Sequence, residues 1–246
     1  MIRIYDDTDA LAHAAADAFV EACRAAIARS GHFAVALAGG QTPRPTYELL
    51  ATPPWREAVD WSRVHVFWGD ERCVPGDDPR HNGRMAREAL LDHVPVPAAQ
   101  VHAIACAADP EAAAATYEGE FLAAFGGPDR ARLDLTLLGL GADGHTASLF
   151  PGSRALAETQ RRVVAIPATE AGDLPRISLT IACLGGARSV VFLVAGQAKA
   201  DALHAVLRGS GRPGRTPAGL VAAAAEDVLW LVDRAAAGPL AGREPA

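Results

Sequence analysis

The chain lacks the usual marks of a secreted, membrane-bound, metal-binding or nucleic-acid-binding protein. Its opening, MIRIYDDTDA, carries early acids and no apolar signal-peptide core. Its alanine-rich stretches are broken by charges before they reach the ~20 apolar residues of a membrane span. These absences predict a cytoplasmic protein with no membrane partner. His13, His32, His65, His81, His93, His102 and His204 form no H-x-x-x-H or H-E-x-x-H spacing, so no metal is expected. Cys23, Cys73, Cys106 and Cys183 lie far apart without a C-x-x-C pair and read as reduced thiols. No G-x-S-x-G elbow is present, which argues against a serine hydrolase. Net charge is -6, and phosphate-backbone binding needs clustered Lys and Arg, so no nucleic-acid partner is expected. No internal repeat and no Ser/Gly linker divides the chain.

What is present is enough apolar sequence for one substantial core: 50% of 246 residues are hydrophobic. Apolar, β-branched runs at Ile2–Tyr5, Phe33–Ala38, Val64–Trp68, Leu133–Leu138, Val163–Ile166, Val190–Val194 and Val228–Val232 read as strands. Such continuous runs suit strands buried on both faces of a parallel sheet. Helices are expected from Thr8 or Asp9 to a stop at Gly31, and over Pro45–Leu50, Asn82–Leu91, Pro110–Phe125 and Ala198–Leu207. The alternation predicts a Rossmann-like α/β layered fold, a mostly parallel sheet flanked by helices, as a single domain over residues 1–237. Residues 208–218 read as a surface loop and 238–246 as a frayed tail.

In open α/β sheets ligands bind beyond the carboxyl ends of the strands, and four strand ends carry chemistry. The first is VALAGGQTPRPTYELL, where Gly39 and Gly40 permit close backbone approach and Thr42 can cap the next helix. It is either a phosphate cradle or an ordinary β-α turn. The second brings Asp70, Glu71 and Arg72 together after a buried run. It is either a cleft-facing cluster or a solvated loop, and its Pro/Gly/Asp-rich continuation leads to Asn82. The third, LLGLGADGHTASLFPG, contains a G-x-G-x-x-G match. However, Pro151-Gly152 halts any long helix, and no acid ends the next strand, as a dinucleotide site would require. What remains is a glycine turn presenting Asp143 and His145, an acid able to set a histidine tautomer. The fourth places Lys199 in the first turn of a helix, a position that disfavours a cation unless an anion sits nearby. The alternative is a lysine reaching water. Arg176, in DLPRISLT, is a further candidate anion contact.

LAGGQTPRPTYELL, VFWGDERCVPGDDPRHNGRMA, LDLTLLGLGADGHTASLFPG, RISLT and VVFLVAGQAKADAL together resemble the ordered motifs of the 6-phosphogluconolactonase family over nearly the whole chain. The resemblance places the fold in a wider α/β group with the glucosamine-6-phosphate deaminases and ribose-5-phosphate isomerases. It implies hydrolysis of 6-phospho-D-glucono-1,5-lactone in the oxidative pentose phosphate pathway, without a cofactor. The partner would be a small phosphorylated sugar lactone, the enzyme a monomer or small homo-oligomer. It places a general base at His145 with Asp143 beside it and an active-site arginine at Arg72, next to Asp70 and Glu71. Phosphate contacts would fall on Gly39, Gly40, Gln41 and Thr42, with Asn82, Arg176 and Lys199 nearby. The chain departs from the commoner family pattern at Gln41, where a serine is usual. Amino-sugar phosphate deaminases resemble the chain in the phosphate turn and the D-G-H segment, but carry an acid where this chain has Phe150. A non-catalytic sugar-phosphate sensor on the same fold would need no Asp143–His145 pair.

Overall fold

The computed structural model describes residues 1–106, 109–208 and 216–238. Among the described residues nine strands run in chain order: β1 (Ile2–Tyr5), β2 (Phe33–Leu37), β3 (Val64–Trp68), β4 (Asp70–Arg72), β5 (Leu135–Gly139), β6 (Val163–Ile166), β7 (Arg176–Leu179), β8 (Ser189–Val194) and β9 (Val228–Asp233). Six of them form a sheet in the order β1-β9-β8-β5-β2-β3, and every pairing in it is parallel. β2 is buried at all five residues and β8 at five of six, as expected for strands covered on both faces. The chain leaves β2 toward β3 on one side and β5 toward β8 on the other. The gap between the ends of β2 and β5 is therefore the topological switch point, where doubly wound sheets bind ligands.

The helix Thr8–Ser30 covers one face through Leu11, Ala15, Phe19, Cys23 and Ala26, a stripe at helical spacing. Phe19 meets Phe33 of β2 edge-on at 5.3 Å. Its cap is Asp7, whose carboxylate accepts from the Ala10 amide, one residue before the expected Thr8 or Asp9. Gly31 ends it in the left-handed conformation, as predicted.

Several expectations are corrected. β6 does not join the main sheet; it pairs antiparallel with β7, which pairs antiparallel with β4, giving a separate three-stranded sheet. β4 and β7 escaped the sequence reading because DER and RISL are short and partly polar. Thr42 caps nothing: the helix Arg44–Leu50 follows Pro43 with no side-chain cap. Within the expected 208–218 loop, Thr216 instead caps the helix Pro217–Ala224, and Pro217 and Ala218 are buried; residues 209–215 lie outside the described residues. So do 239–246 of the expected tail, while Gly238 closes a short helix, Arg234–Ala237. Cys73 and Cys106 form a disulfide with a Cα–Cα separation of 4.9 Å, against the expectation of reduced thiols, and Cys23 and Cys183 are free and buried.

Candidate active site

Two buried tyrosines hold the chain where β2 and its neighbour β3 end. The Tyr47 hydroxyl donates to the Ala38 carbonyl at 2.8 Å and accepts from its amide at 3.0 Å. The Tyr117 hydroxyl does the same at Trp68, at 3.2 and 3.0 Å. Each fixes the backbone where its strand ends and the chemistry begins. A cleft of about 380 Å³ opens beyond the strand ends, lined by Ala38, Gly69 and Gly139 among others.

Ten of the residues proposed from sequence line this cleft: Gly39, Gly40, Gln41, Thr42, Asp70, Arg72, Asn82, His145, Arg176 and Lys199. Gly40 has φ of 89°, which an L side chain rarely adopts. Gly39 is glycine for a different reason: a Cβ there would stand 1.9 Å from Asn82 Oδ1. The backbone at β2 and the side chain from the 82 segment thus pack without a gap.

Arg72 and Arg176 face each other in register across β4 and β7. Like charges directly opposite on a sheet are destabilising. The Arg72 Nη1 donates to the Arg80 carbonyl at 2.6 Å, and Arg176 pairs with Asp173 at 2.9 Å. Both Nε atoms are buried with no hydrogen-bond partner among the described residues. Lys199, the only lysine of the chain, sits at the end of a 3-10 turn, Gln197–Lys199, and lines the same cleft. These cations turned into one cleft suit an anionic ligand.

His145 is carried by a turn whose glycines do separate jobs. Gly144 has φ of 85°. Gly141 leaves room for the imidazole, since a Cβ there would lie 2.1 Å from His145 Nδ1. No long helix follows: Gly141 N donates to His145 O at 2.8 Å, and Thr146 bridges to Leu149. Asp143 Oδ1 lies 2.6 Å from His145 Nδ1 and also accepts the His145 amide at 3.0 Å. Burial raises the Asp143 carboxyl, but the His145 amide, ring charge and ring hydrogen bond together hold it below the usual range. An ionised carboxylate only accepts, so Nδ1 donates to it and Nε2 is the ring atom left to exchange a proton. The ring packs against Phe150 with centroids 4.8 Å apart.

Glu71 does not line the cleft, which corrects its placement among the catalytic candidates. Its carboxyl is 1% exposed and accepts the amides of Arg72, Asn82 and Gly83, each at 2.8 Å. His81 Nδ1 accepts the Arg84 amide at 3.2 Å and lies 3.1 Å from Glu71 Oε2. Glu71 therefore ties β4 to the start of the helix Asn82–Ala86. Burial pushes its carboxyl up to about 7, against the three amides that pull it down, with the Asp70 charge adding to the rise. A carboxyl raised on folding contributes stability that is full below the unfolded value of 4.5 and is lost as pH rises through about 7. Glu71→Gln removes that titration. The wild type is expected to lose stability relative to Glu71→Gln across this window, on the order of 3 kcal/mol. Urea midpoints of both chains at either end of the window check it, and a difference that does not move with pH contradicts it.

Sequence reading missed Ser148, fully buried with its hydroxyl 2.5 Å from Asp70 Oδ2, because the pair is 78 positions apart. The pattern also does not single out Gly141 within the glycine turn, although its lack of a side chain is what seats the imidazole.

Residues 6–230 match the family model described as glucosamine-6-phosphate isomerases/6-phosphogluconolactonase. A Synechocystis 6-phosphogluconolactonase is 46% identical over 215 residues, covering 86% of each chain. One from Mycobacterium tuberculosis is 41% identical over 246 residues, covering 97% of this chain and 98% of the relative. The solved structure of 6-phosphogluconolactonase from Trypanosoma brucei superposes with a TM-score of 0.82 at 30% identity, covering 98% of both chains.

Proposed function

The chain belongs to the glucosamine-6-phosphate isomerase/6-phosphogluconolactonase family, and on that premise we propose that it hydrolyses 6-phospho-D-glucono-1,5-lactone to 6-phospho-D-gluconate in the oxidative pentose phosphate pathway. The observation that carries this choice within the family is Phe150 against the His145 ring. A ring-opening deaminase needs a carboxylate there, and an apolar ring cannot move a proton.

A lactone is an activated ester, so water can attack it without a protein nucleophile. His145 Nε2 takes the proton of the attacking water, while Asp143 holds the ring and stabilises its cation. Negative charge then develops on the carbonyl oxygen. Arg72, whose Nε has no hydrogen-bond partner among the described residues, is the donor assigned to meet it. The imidazolium returns its proton to the departing ring oxygen, which becomes the hydroxyl of the open acid. No cofactor or metal is called for.

Gly40, Gln41 and Thr42 line the phosphate end of the cleft, with Arg176 and Lys199 as its cations. Lys199→Ala is expected to raise KM about tenfold and to leave kcat within about threefold, because phosphate binding is equal in ground and transition states. Initial rates across lactone concentration check it; an unchanged KM removes Lys199 from the site.

The same reading places the enzyme in the cytoplasm as a monomer or small homo-oligomer, acting on a small phosphorylated ligand. No described helix is long and apolar enough to cross a membrane. Cytosolic thiols are kept reduced, so the Cys73–Cys106 bond is the one feature that does not follow from that placement.

A further inference from the structure

Asp70 has the look of a catalytic acid: it is charged, follows a buried strand and borders the cleft. Its contacts assign it different work. The carboxylate is 7% exposed and forms no salt bridge among the described residues. Oδ2 accepts from the buried Ser148 hydroxyl at 2.5 Å, and Oδ1 lies 3.4 Å from Asn82 Nδ2. Both oxygens are engaged within the protein. Asp70 is opposite Ser178 in the β4–β7 register, and the Ser178 hydroxyl in turn receives the Ser148 amide at 3.4 Å. Ser148 is thus gripped at both its amide and its hydroxyl by the three-stranded sheet.

The segment so gripped is the one that carries His145. Ala147, between the histidine and Ser148, has φ of 49°. That conformation costs a residue with a Cβ on the order of 1 kcal/mol and persists only where the surroundings over-determine it. Two anchors flank it. The Thr146 hydroxyl donates to the Gly139 carbonyl at 2.8 Å, tying one side to the main sheet. Ser148 ties the other side to Asp70.

We propose that Asp70 is a positioning residue for the hydrolysis proposed above: through the Ser148 hydroxyl it clamps the strained turn that aims His145 at the substrate. The role requires a hydrogen-bond acceptor at Asp70, and its negative charge is incidental. A misplacement of about 1 Å in a catalytic group can cost ~10²-fold in rate, so loosening one of two anchors is expected to matter.

The test measures kcat, KM and Tm of Ser148→Ala, Asp70→Ala, Asp70→Asn and the Asp70→Ala/Ser148→Ala double variant on freshly made 6-phosphoglucono-1,5-lactone. Ser148→Ala and Asp70→Ala are each expected to lower kcat roughly tenfold or more with KM within about threefold. The double variant should be no worse than the poorer single, because both remove one link. Asp70→Asn keeps a carbonyl acceptor for Ser148 and should recover kcat to within about threefold of the wild type. Its near-isosteric side chain keeps the test alive if the alanine variants do not fold. An Asp70→Asn as impaired as Asp70→Ala overturns the proposal, since an acceptor for the Ser148 hydroxyl would then not suffice. Wild-type kcat in Ser148→Ala overturns it as well. An inactive wild type would instead strike at the hydrolysis reading itself, so the two failures are distinguishable.

Discussion

His145→Ala should lower kcat for the lactone by at least ~10²-fold. Asp143 claims Nδ1 at 2.6 Å, which leaves Nε2 as the basic atom of a ring that lines the cleft. Without it, water must attack unassisted, and the ring oxygen must leave without a proton donor in place. The cations remain, so a residual rate above the spontaneous reaction is expected, with KM changed by less than about threefold. The His145 side chain is 33% exposed and sits in a turn, so its removal leaves no large cavity, and Tm should move little. The lactone opens without enzyme, so each rate is read after subtracting that background. A variant that turns over at the wild-type rate ends the assignment of His145 as base.

Gly141→Ala should be nearly as damaging, although the substitution adds only a methyl group. The new Cβ would stand 2.1 Å from Nδ1, 2.3 Å from Cε1 and 2.6 Å from Cγ of His145. No van der Waals contact tolerates such distances, and the ring is the mobile partner. It swings off its bond to Asp143 and out of line with the substrate. The expected fall in kcat is ~10²-fold, the scale set by misplacing a catalytic group. Because the methyl acts only through the ring, Gly141→Ala/His145→Ala should be no slower than His145→Ala alone. A Gly141→Ala enzyme with wild-type kcat shows that the ring has another productive position.

The main sheet was legible because its strands are buried on both faces, and burial writes itself as unbroken apolar runs such as FAVAL and SVVFLV. The three-stranded sheet was not. Asp70–Arg72 spans three residues, and what holds it is pairing with Arg176–Leu179, more than a hundred positions away. Site residues followed the same division. Gly40, Arg72, His145 and Lys199 could be found because each stands just past a strand, where the fold puts ligands. Ser148 and the placement of Glu71 could not, since a hydroxyl or carboxylate turned inward reads in sequence like one turned outward. The thiols were misread for a similar reason: Cys73 and Cys106 are 33 positions apart and share no motif.

The reading of this chain as a lactone hydrolase, and not a deaminase, rests on the pairing of His145–Asp143 with an apolar Phe150. The most direct test offers the wild-type enzyme two substrates in parallel: freshly generated 6-phosphoglucono-1,5-lactone and glucosamine 6-phosphate. The account predicts background-corrected appearance of acid from the lactone and no ammonia from the amino sugar. Ammonia release with lactone loss no faster than the spontaneous rate would contradict it.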